Sequence, residues 1–309
     1  MTDVERPKIA LTGATGFVGS ATLDRALEAG FAVRALARRE QEPRLHVEWV
    51  SGDLSDTVSL TELTRGVEAT IHVAGVTNAP DAAGFEAGNV TGTLNLIETV
   101  VAKGIRRFVH VSSLSAREPG LSAYGASKAR AEKLLRASPL DWTIVRPPAI
   151  YGPRDREMME LFRAAKWGVV PVPAQGRASM IHVDDLARLL VALVPASGEG
   201  VTGATFEPDD GKPRGWDHGE MARAIGWAMG RRPKVLGLSR AALHRAAAID
   251  RFFRGTKAKM TPDRAAYFSH PDWVVSPGAG VPSRLWQPRI ETREGLRQTA
   301  EWYRENKWL

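Results

Sequence analysis

Leu11-Thr12-Gly13-Ala14-Thr15-Gly16-Phe17-Val18-Gly19 is the stretch whose reading decides the fold. It follows the apolar run Lys8 to Leu11 and opens a helical pattern, Phe17 to Ala29, that stops at Gly30. Strand, glycine turn, helix is the setting in which a glycine fingerprint has a mechanical meaning. Gly13 allows the tight turn, Gly16 lets a pyrophosphate approach the backbone, and Gly19 lets the helix lie close on the strand. The helix N-terminus then offers unpaired N–H groups and a positive dipole end to the phosphates. Thr15, Phe17 and Val18 complete the turn expected to hold them. The spacing is G-x-x-G-x-x-G rather than G-x-G-x-x-G, and a turn that packs a helix and binds nothing is the alternative.

Outward from this turn, strand-like and helix-like segments alternate. Phe31 to Ala37 and Val47 to Val50 read as strands, and Thr57 to Arg65 as a short helix introduced by Ser55-Asp56. Ala69 to Val73 reads as a strand, followed by a long helix from about Phe85 to Gly104. Phe108 to Val111, the helix Tyr124 to Ala137 and the strand Trp142 to Val145 close the series. Strands separated by helices imply right-handed crossovers and a parallel, doubly wound α/β sheet of the Rossmann type. The expected division is a dinucleotide-binding domain over 1–165, to which 178–207 return, and a smaller C-terminal substrate lobe over 166–309.

Ligands on such sheets bind at the carboxyl ends of the strands, so the loops leaving the strands carry the argument. After the second strand comes Ala37-Arg38-Arg39, where an NAD-preferring site usually has an acid for the ribose hydroxyls. Arg38 suits the 2′-phosphate of NADP instead, because its planar fork pairs with phosphate oxygens. Arg39 is the weaker candidate, and a solvent-facing Arg38 is the plain alternative. After the third strand, Asp53 and Leu54 are expected at the adenine. After the fourth, Val73-Ala74-Gly75 offers backbone to the dinucleotide, and His72 reads as structural.

The fifth strand ends in Ser112-Ser113-Leu114-Ser115, and Tyr124-Gly125-Ala126-Ser127-Lys128 follows. Tyr and Lys four residues apart on a helix share one face. A tyrosine can exchange a proton near neutrality only if its pKa, normally about 10, falls. A lysine charge at about 4 Å, with an effective dielectric near 20, favours the phenolate by about 4 kcal/mol, or roughly three pKa units before desolvation opposes it. A serine hydroxyl donating to the substrate oxygen completes such a site.

Together, the glycine turn, Asp53, Ser113, Tyr124 and Lys128 resemble the short-chain dehydrogenase/reductase superfamily, extended type. Arg146-Pro147-Pro148-Ala149-Ile150-Tyr151-Gly152-Pro153 and Ile181-His182-Val183-Asp184-Asp185-Leu186-Ala187 agree with it. The resemblance is close over residues 8–195 and holds only in outline beyond. It implies that Tyr124 is the catalytic acid/base. Lys128 lowers the pKa of that tyrosine and holds the nicotinamide ribose, and Ser113 orients the reacting oxygen, with Ser112 and Ser115 as fallbacks. Pro147 to Ile150 would line the nicotinamide, and Asp184 and Asp185 would cap a helix and hold the fold. Val33 to Arg38 is similar to the branch of dihydroflavonol reductases and 3β-hydroxysteroid dehydrogenases. The sugar-nucleotide branch usually places a diphosphate arginine where Ala178 stands here, with Arg177 one place off. It also places an acidic pair where Leu114 and Ser115 stand.

Composition bounds the rest. The chain has 309 residues, 43% apolar and 25% charged, with no cysteine, so disulfides and thiol chemistry are excluded. No secretory signal is read at the N-terminus and no apolar run reaches membrane-span length, which makes the cytoplasm the expected location. Net charge is +7, and from Gly211 onward 19 Lys and Arg stand against 9 Asp and Glu. The basic residues are scattered, without the signature of a nucleic-acid binder. Seven of the nine tryptophans lie from Trp167 onward, in the expected substrate lobe, where they are read as core. Helices are expected over Asp217 to Met229, Arg240 to Phe253 and Glu291 to Asn306. The 240–259 stretch sets Leu243, Ala247, Phe252 and Phe253 among Arg240, Arg245, Arg251, Arg254 and Lys257. It is read as a basic-faced helix packing on the substrate cleft, with an acidic membrane surface as the alternative. No metal spacing is present. The expected function is NADP(H)-dependent hydride transfer between a carbonyl and an alcohol on a mostly apolar or aromatic small molecule. A sugar-nucleotide epimerase or dehydratase with retained NAD, and a non-catalytic NADP-binding subunit, are the alternatives. A homodimer is expected by analogy.

Overall fold

The protein is described by a computed structural model over residues 6–255, 258 and 260–309. Lys257 lies outside the described residues. In chain order the elements are β1 (Lys8–Thr12), α1 (Phe17–Glu28), β2 (Ala32–Ala37), β3 (Val47–Ser51), α2 (Thr57–Leu63), β4 (Ala69–His72), α3 (Ala82–Phe85), α4 (Gly92–Ala102), β5 (Arg107–Val111), α5 (Ala123–Arg136) and β6 (Asp141–Val145). Then follow β7 (Ala149–Tyr151), α6 (Met159–Lys166), β8 (Val169–Pro173), β9 (Arg177–Ala178), β10 (Met180–His182), α7 (Val183–Ala192) and β11 (Ala204–Phe206). The chain finishes with β12 (Trp216–Asp217), α8 (His218–Ala228), β13 (Lys234–Leu238), α9 (Arg240–Arg254), α10 (Pro262–Phe268), β14 (Asp272–Trp273) and α11 (Thr292–Glu305).

These elements form two compact units. The first comprises the chain up to Pro119, Ala123–Arg146 and Leu186–Phe206; the second comprises Gly120–Ser122, Pro147–Asp185 and Glu207–Leu309. The stretch 147–165 therefore falls in the second unit, and the chain re-enters the first within α7.

In the first unit seven strands lie in the order β3-β2-β1-β4-β5-β6-β11, every pair parallel. Parallel strands are covered on both faces, which is why β1 reads as an unbroken apolar run: Ile9, Ala10 and Leu11 are fully buried. Leu36, Leu60, Leu96, Phe108, Leu135 and Ile144 build the core on one side of the sheet. The strand order reverses between β1 and β4, where open α/β sheets carry their ligand crevice. Arg107 is a charged residue on the buried strand β5. Its guanidinium donates to the Leu193 carbonyl at 2.7 and 3.0 Å and to Thr143 Oγ1 at 2.9 Å, and it pairs with Asp141. These contacts offset the cost of burying the charge.

The single helix expected from about Phe85 to Gly104 is built in three pieces. Asp81 caps α3, its Oδ1 accepting from Gly84 N at 2.9 Å. A π-helical stretch, Glu86–Thr91, then widens the turn before α4.

The second unit contains the parallel pairs β7–β10 and β8–β13 and the three-stranded arrangement β12-β9-β14. Its core is built on Tyr151, Phe162, Met180, Ile225, Leu296 and Tyr303. Asp185 is a fold-holding residue: its carboxylate accepts from Arg289 N and Ile290 N at 3.0 Å, and its carbonyl from Trp286 Nε1. Trp216, Trp273 and Trp286 are buried, whereas Trp167 and Trp227 are exposed. Helix α9 packs Leu243 and Ala247 against Ala265 of α10, and its two phenylalanines stay outside that cluster.

Candidate active site

The site is built outward from the turn between β1 and α1, all of it in the first unit. Gly13 has φ +75°, and a Cβ placed there would lie 2.7 Å from Ala74 N in the loop after β4. A Cβ on Gly19 would lie 1.9 Å from the Gly13 carbonyl oxygen, so any side chain there would push α1 off the turn. Gly16 is the N-cap of α1, with no side-chain hydrogen bond capping it, and its amide donates to Gly13 O at 2.9 Å. Gly16 and Thr15 are exposed, and Phe17 and Val18 are half-buried. A helix start with unoccupied N–H groups and no Cβ in the way fits a dinucleotide pyrophosphate.

The turn is braced from behind by His72, at the end of β4. Ala74 N donates to Thr12 Oγ1 (3.1 Å), which meets His72 Nδ1 at 2.7 Å. His72 Nε2 meets Thr93 Oγ1 at 2.9 Å, and that hydroxyl donates to Asn89 O at 2.6 Å. Because Thr93 spends its proton on Asn89, the imidazole carries its hydrogen on Nε2 and accepts from Thr12 on Nδ1. Burial pushes its pKa down to about 3, with the Lys128 charge adding to the effect, so the ring is neutral. His72 is thus a structural residue.

The neighbouring strand ends supply the other cofactor candidates. Arg38, directly after β2, is exposed, and so is Asp53, after β3. The Ser55 hydroxyl and amide donate to Asp53 Oδ1 at 2.6 and 2.8 Å, and these bonds, helped by the Arg38 charge, hold the carboxyl below its usual range. Asp53 therefore stands ionised beside a guanidinium. The carbonyl of Leu54 is fixed by Asn95 Nδ2 at 2.9 Å. Val73 and Ala74 are half-buried, and Gly75 is exposed; a Cβ on Gly75 would lie 3.7 Å from Lys128 Nζ. The lysine head thus reaches the loop that follows β4.

Tyr124 and Lys128 sit one turn apart on α5. Tyr124 is half-buried, its ring 5.9 Å from that of Phe85. Lys128 is buried and donates from Nζ to the Val111 carbonyl at the end of β5, 2.7 Å away. Burial pushes its pKa down to about 8, against the opposing pull of Glu132. The three serines after β5 have different partners. Ser112 donates to Glu132 Oε1 at 2.6 Å, inside a buried cluster completed by Arg146 at 2.7 and 2.8 Å. Burial alone would raise the Glu132 carboxyl, but the Arg146 and Ser112 hydrogen bonds and nearby arginine charges outweigh it and hold the group ionised. Ser115 is buried and donates to Ser113 Oγ at 2.9 Å, with its amide at 3.2 Å from the same oxygen. Ser113 Oγ accepts twice, which leaves its own O–H to donate.

Asn89 was not singled out from the sequence, because a lone asparagine in a helical pattern gives no periodic signal. In the structure it is buried on the π-helical stretch. Its Oδ1 accepts from Val76 N (2.7 Å), and its Nδ2 donates to Val76 O and to Ser127 Oγ, both at 2.9 Å. Ser127 in turn donates to Tyr124 O at 2.7 Å. One side chain thus ties the loop after β4 to the helix carrying Tyr124 and Lys128. Pro147 is buried and Ile150 half-buried on β7, both in the second unit. Arg177, the shifted candidate for a diphosphate, is engaged by carbonyls: Nε donates to Arg214 O at 2.6 Å and Nη2 to Gly215 O at 2.9 Å.

A parallel sheet with this strand order, a glycine turn at its crevice and a Tyr–x–x–x–Lys helix beside it define a pyridine-nucleotide-dependent oxidoreductase fold. Comparison with known proteins agrees. The model of an NAD(P)H-binding family matches residues 13–196. The chain is 37% identical over 316 residues to a ceramide reductase of Caulobacter vibrioides, covering 98% of this chain and 96% of that protein. It is 31% identical over 238 residues to a 2-alkyl-3-oxoalkanoate reductase of Stenotrophomonas maltophilia, covering 67% and 71%. Among solved structures, MoeE5 in complex with UDP-glucose and NAD superposes with a TM-score of 0.75 at 22% identity, over 97% of this chain and 99% of that one. The chain belongs to the extended short-chain dehydrogenase/reductase superfamily, within the NAD(P)H-binding family. It is an NAD(P)-dependent oxidoreductase of that type.

Proposed function

We propose that this protein is an NADP(H)-dependent carbonyl reductase whose substrate is a long-chain lipid ketone of the ceramide class. The observation that carries the reading is the end-to-end similarity to the Caulobacter ceramide reductase, 98% of one chain against 96% of the other. Ceramides carry a secondary alcohol, and the ketone at that carbon is the group a serine–tyrosine–lysine site reduces. The partners Arg177 already has, and the absence of acids at Leu114 and Ser115, argue against a sugar-nucleotide substrate.

The chemistry follows from the groups on β5 and α5. Ser113 donates its unspent O–H to the carbonyl oxygen, polarising it. Tyr124 delivers the proton as the oxygen becomes an alkoxide, and the Lys128 ammonium stabilises the phenolate left behind. From its place beside Gly75, Lys128 would also hold the nicotinamide ribose. A reduced nicotinamide, when bound, would supply the hydride. The amides at Phe17 and Val18, beside the Cβ-free backbone of Gly16, would hold the pyrophosphate, Arg38 the 2′-phosphate and Asp53 the adenine amine.

The test is turnover of NADPH with a ceramide-class ketone, run beside short water-soluble ketones and UDP-sugars. Tyr124→Phe is expected to lose roughly a hundred- to ten-thousand-fold in kcat, the usual worth of a positioned acid, while still binding NADPH. Reduction of short ketones alone would remove the lipid assignment. Conversion of a UDP-sugar by enzyme purified with tightly held NAD would replace the reading with an epimerase. NADPH binding without turnover on any of these would leave a non-catalytic subunit.

A further inference from the structure

Helix α9 carries two apolar faces, and only one of them is covered. Leu243 and Ala247 pack against Ala265, with Leu238 and Met260 at the margin of that cluster. A second strip, roughly a third of a turn round the helix, is formed by Ala242, Ala246, Ile249 and Phe253, spaced four, three and four residues apart, with Phe252 in the adjoining row. Ile249, Phe252 and Phe253 are 58%, 84% and 78% exposed, and the two phenylalanine rings touch edge to face, centroids 5.3 Å apart. Isolated exposed apolar residues need no explanation, but a contiguous helical face ending in two aromatics marks an interaction site.

The charge around that face selects the partner. From Arg231 to Arg254 the sequence has seven Lys and Arg against a single acid, Asp250. Asp250 is already paired with Arg254 at 3.3 Å. Arg240, Arg245 and Arg251 are exposed, and Arg245 projects within the apolar face itself. In a two-fold contact between copies, the same patch meets itself, so these arginines would be set against their own equivalents. An anionic phospholipid surface instead satisfies both parts: phosphates take the guanidinium groups and the acyl region takes the phenylalanines. No helix among the described residues is long and apolar enough to cross a membrane, so the contact is peripheral.

We propose that α9 is a membrane-docking helix that lies in the plane of an anionic phospholipid surface, with Ile249, Phe252 and Phe253 inserted, Arg245 among them at the headgroups, and Arg240 and Arg251 adding positive charge from the outer, polar side of the helix. The proposal does not depend on the substrate assignment, because binding is read without turnover. The experiment is flotation of the full-length protein with vesicles of phosphatidylcholine alone and of phosphatidylcholine mixed with phosphatidylglycerol. The mixed vesicles capture the protein and the neutral ones do so weakly, and capture declines with added salt. Phe252→Ser with Phe253→Ser lowers partition onto mixed vesicles by about tenfold or more, and Arg245→Glu lowers it as well. Both sets of side chains are solvent-exposed, so the melting temperature and the dissociation constant for NADPH stay at the unsubstituted values. Equal capture by neutral and anionic vesicles, or capture unchanged by the double serine variant, would overturn the proposal. A larger species in vesicle-free light scattering that the same variant splits would also overturn it, assigning the face to a second copy of the chain.

Discussion

Lys128 is a cation inside the protein, and its titration is open to measurement. Burial brings its pKa to about 8, against 10.5 for an ordinary lysine. Between those values the unfolded chain binds the proton and the native chain does not, so this group makes stability rise with pH across that window. Under the proposed mechanism activity runs the other way, because the phenolate of Tyr124 would need the charged ammonium. The expected kcat/KM profile for reduction falls on an alkaline limb near pH 8. Lys128→Arg, whose charge persists, moves that limb upward; a limb that stays in place in the arginine variant contradicts the role. On the proposed reading, Arg38 would govern cofactor choice by the same kind of charge-assisted contact. Arg38→Ala is expected to weaken NADPH roughly ten- to a hundredfold, the loss of one hydrogen bond to a charged group, and to leave NADH nearly untouched. Dissociation constants for both cofactors in both proteins decide this. These residues are legible in sequence because the chemistry demands fixed residue types at fixed spacings. What spacing does not show is which of three adjacent serines has a proton to give. That depends on Glu132, Arg146 and Ser115, two of them far along the chain.

At the scale of elements, the wide turn Glu86–Thr91 makes the loop after β4 and the start of α5 one mechanical piece. Asn89 holds the two together through Val76 and Ser127, which predicts a positioning role for it. Asn89→Ala leaves the Val76 amide and carbonyl and Ser127 Oγ without their partner in a buried place. The expected cost is about 1–3 kcal/mol in urea unfolding, together with a drop in kcat larger than any change in KM for NADPH. Asn89→Asp, which keeps the acceptor for Val76 N and loses the donors, should fall between. A variant as stable and as active as the unsubstituted protein would remove the positioning role. The apolar run of β1 and the regular alternation of strand-like and helix-like segments after it make the parallel sheet readable, since strands buried on both faces are continuous in hydrophobicity, even though β4 and β5 carry His72, Arg107 and His110. The π turn was not readable: helical periodicity over residues 85–104 is the same whether one turn is wide or not. The ribbon β8–β13 was missed for a related reason. Its two strands are far apart in sequence, and while β8 alternates exposed and buried residues, β13 has no buried residue to mark it as a strand.

At the scale of the molecule, the extended superfamily's members motivate a homodimer through the outer faces of α4 and α5, along Phe85–Lys103 and Tyr124–Ala137. Light scattering is expected to give twice the 33.6 kDa of the chain, and the mass should not change when Phe252 and Phe253 are made polar. A monomer at working concentration would refute the dimer. The order in which the chain supplies its two units has a consequence during synthesis. The seven-stranded sheet is complete in sequence once Phe206, the end of β11, has been made. The core of the second unit, by contrast, draws Tyr151 and Phe162 from the middle of the chain and Leu296 and Tyr303 from the last helix. A nascent chain can therefore fold its dinucleotide-binding sheet while still attached to the ribosome, but it must carry the bare aromatic side chains of the intervening segment until α11 has been made and has left the ribosome.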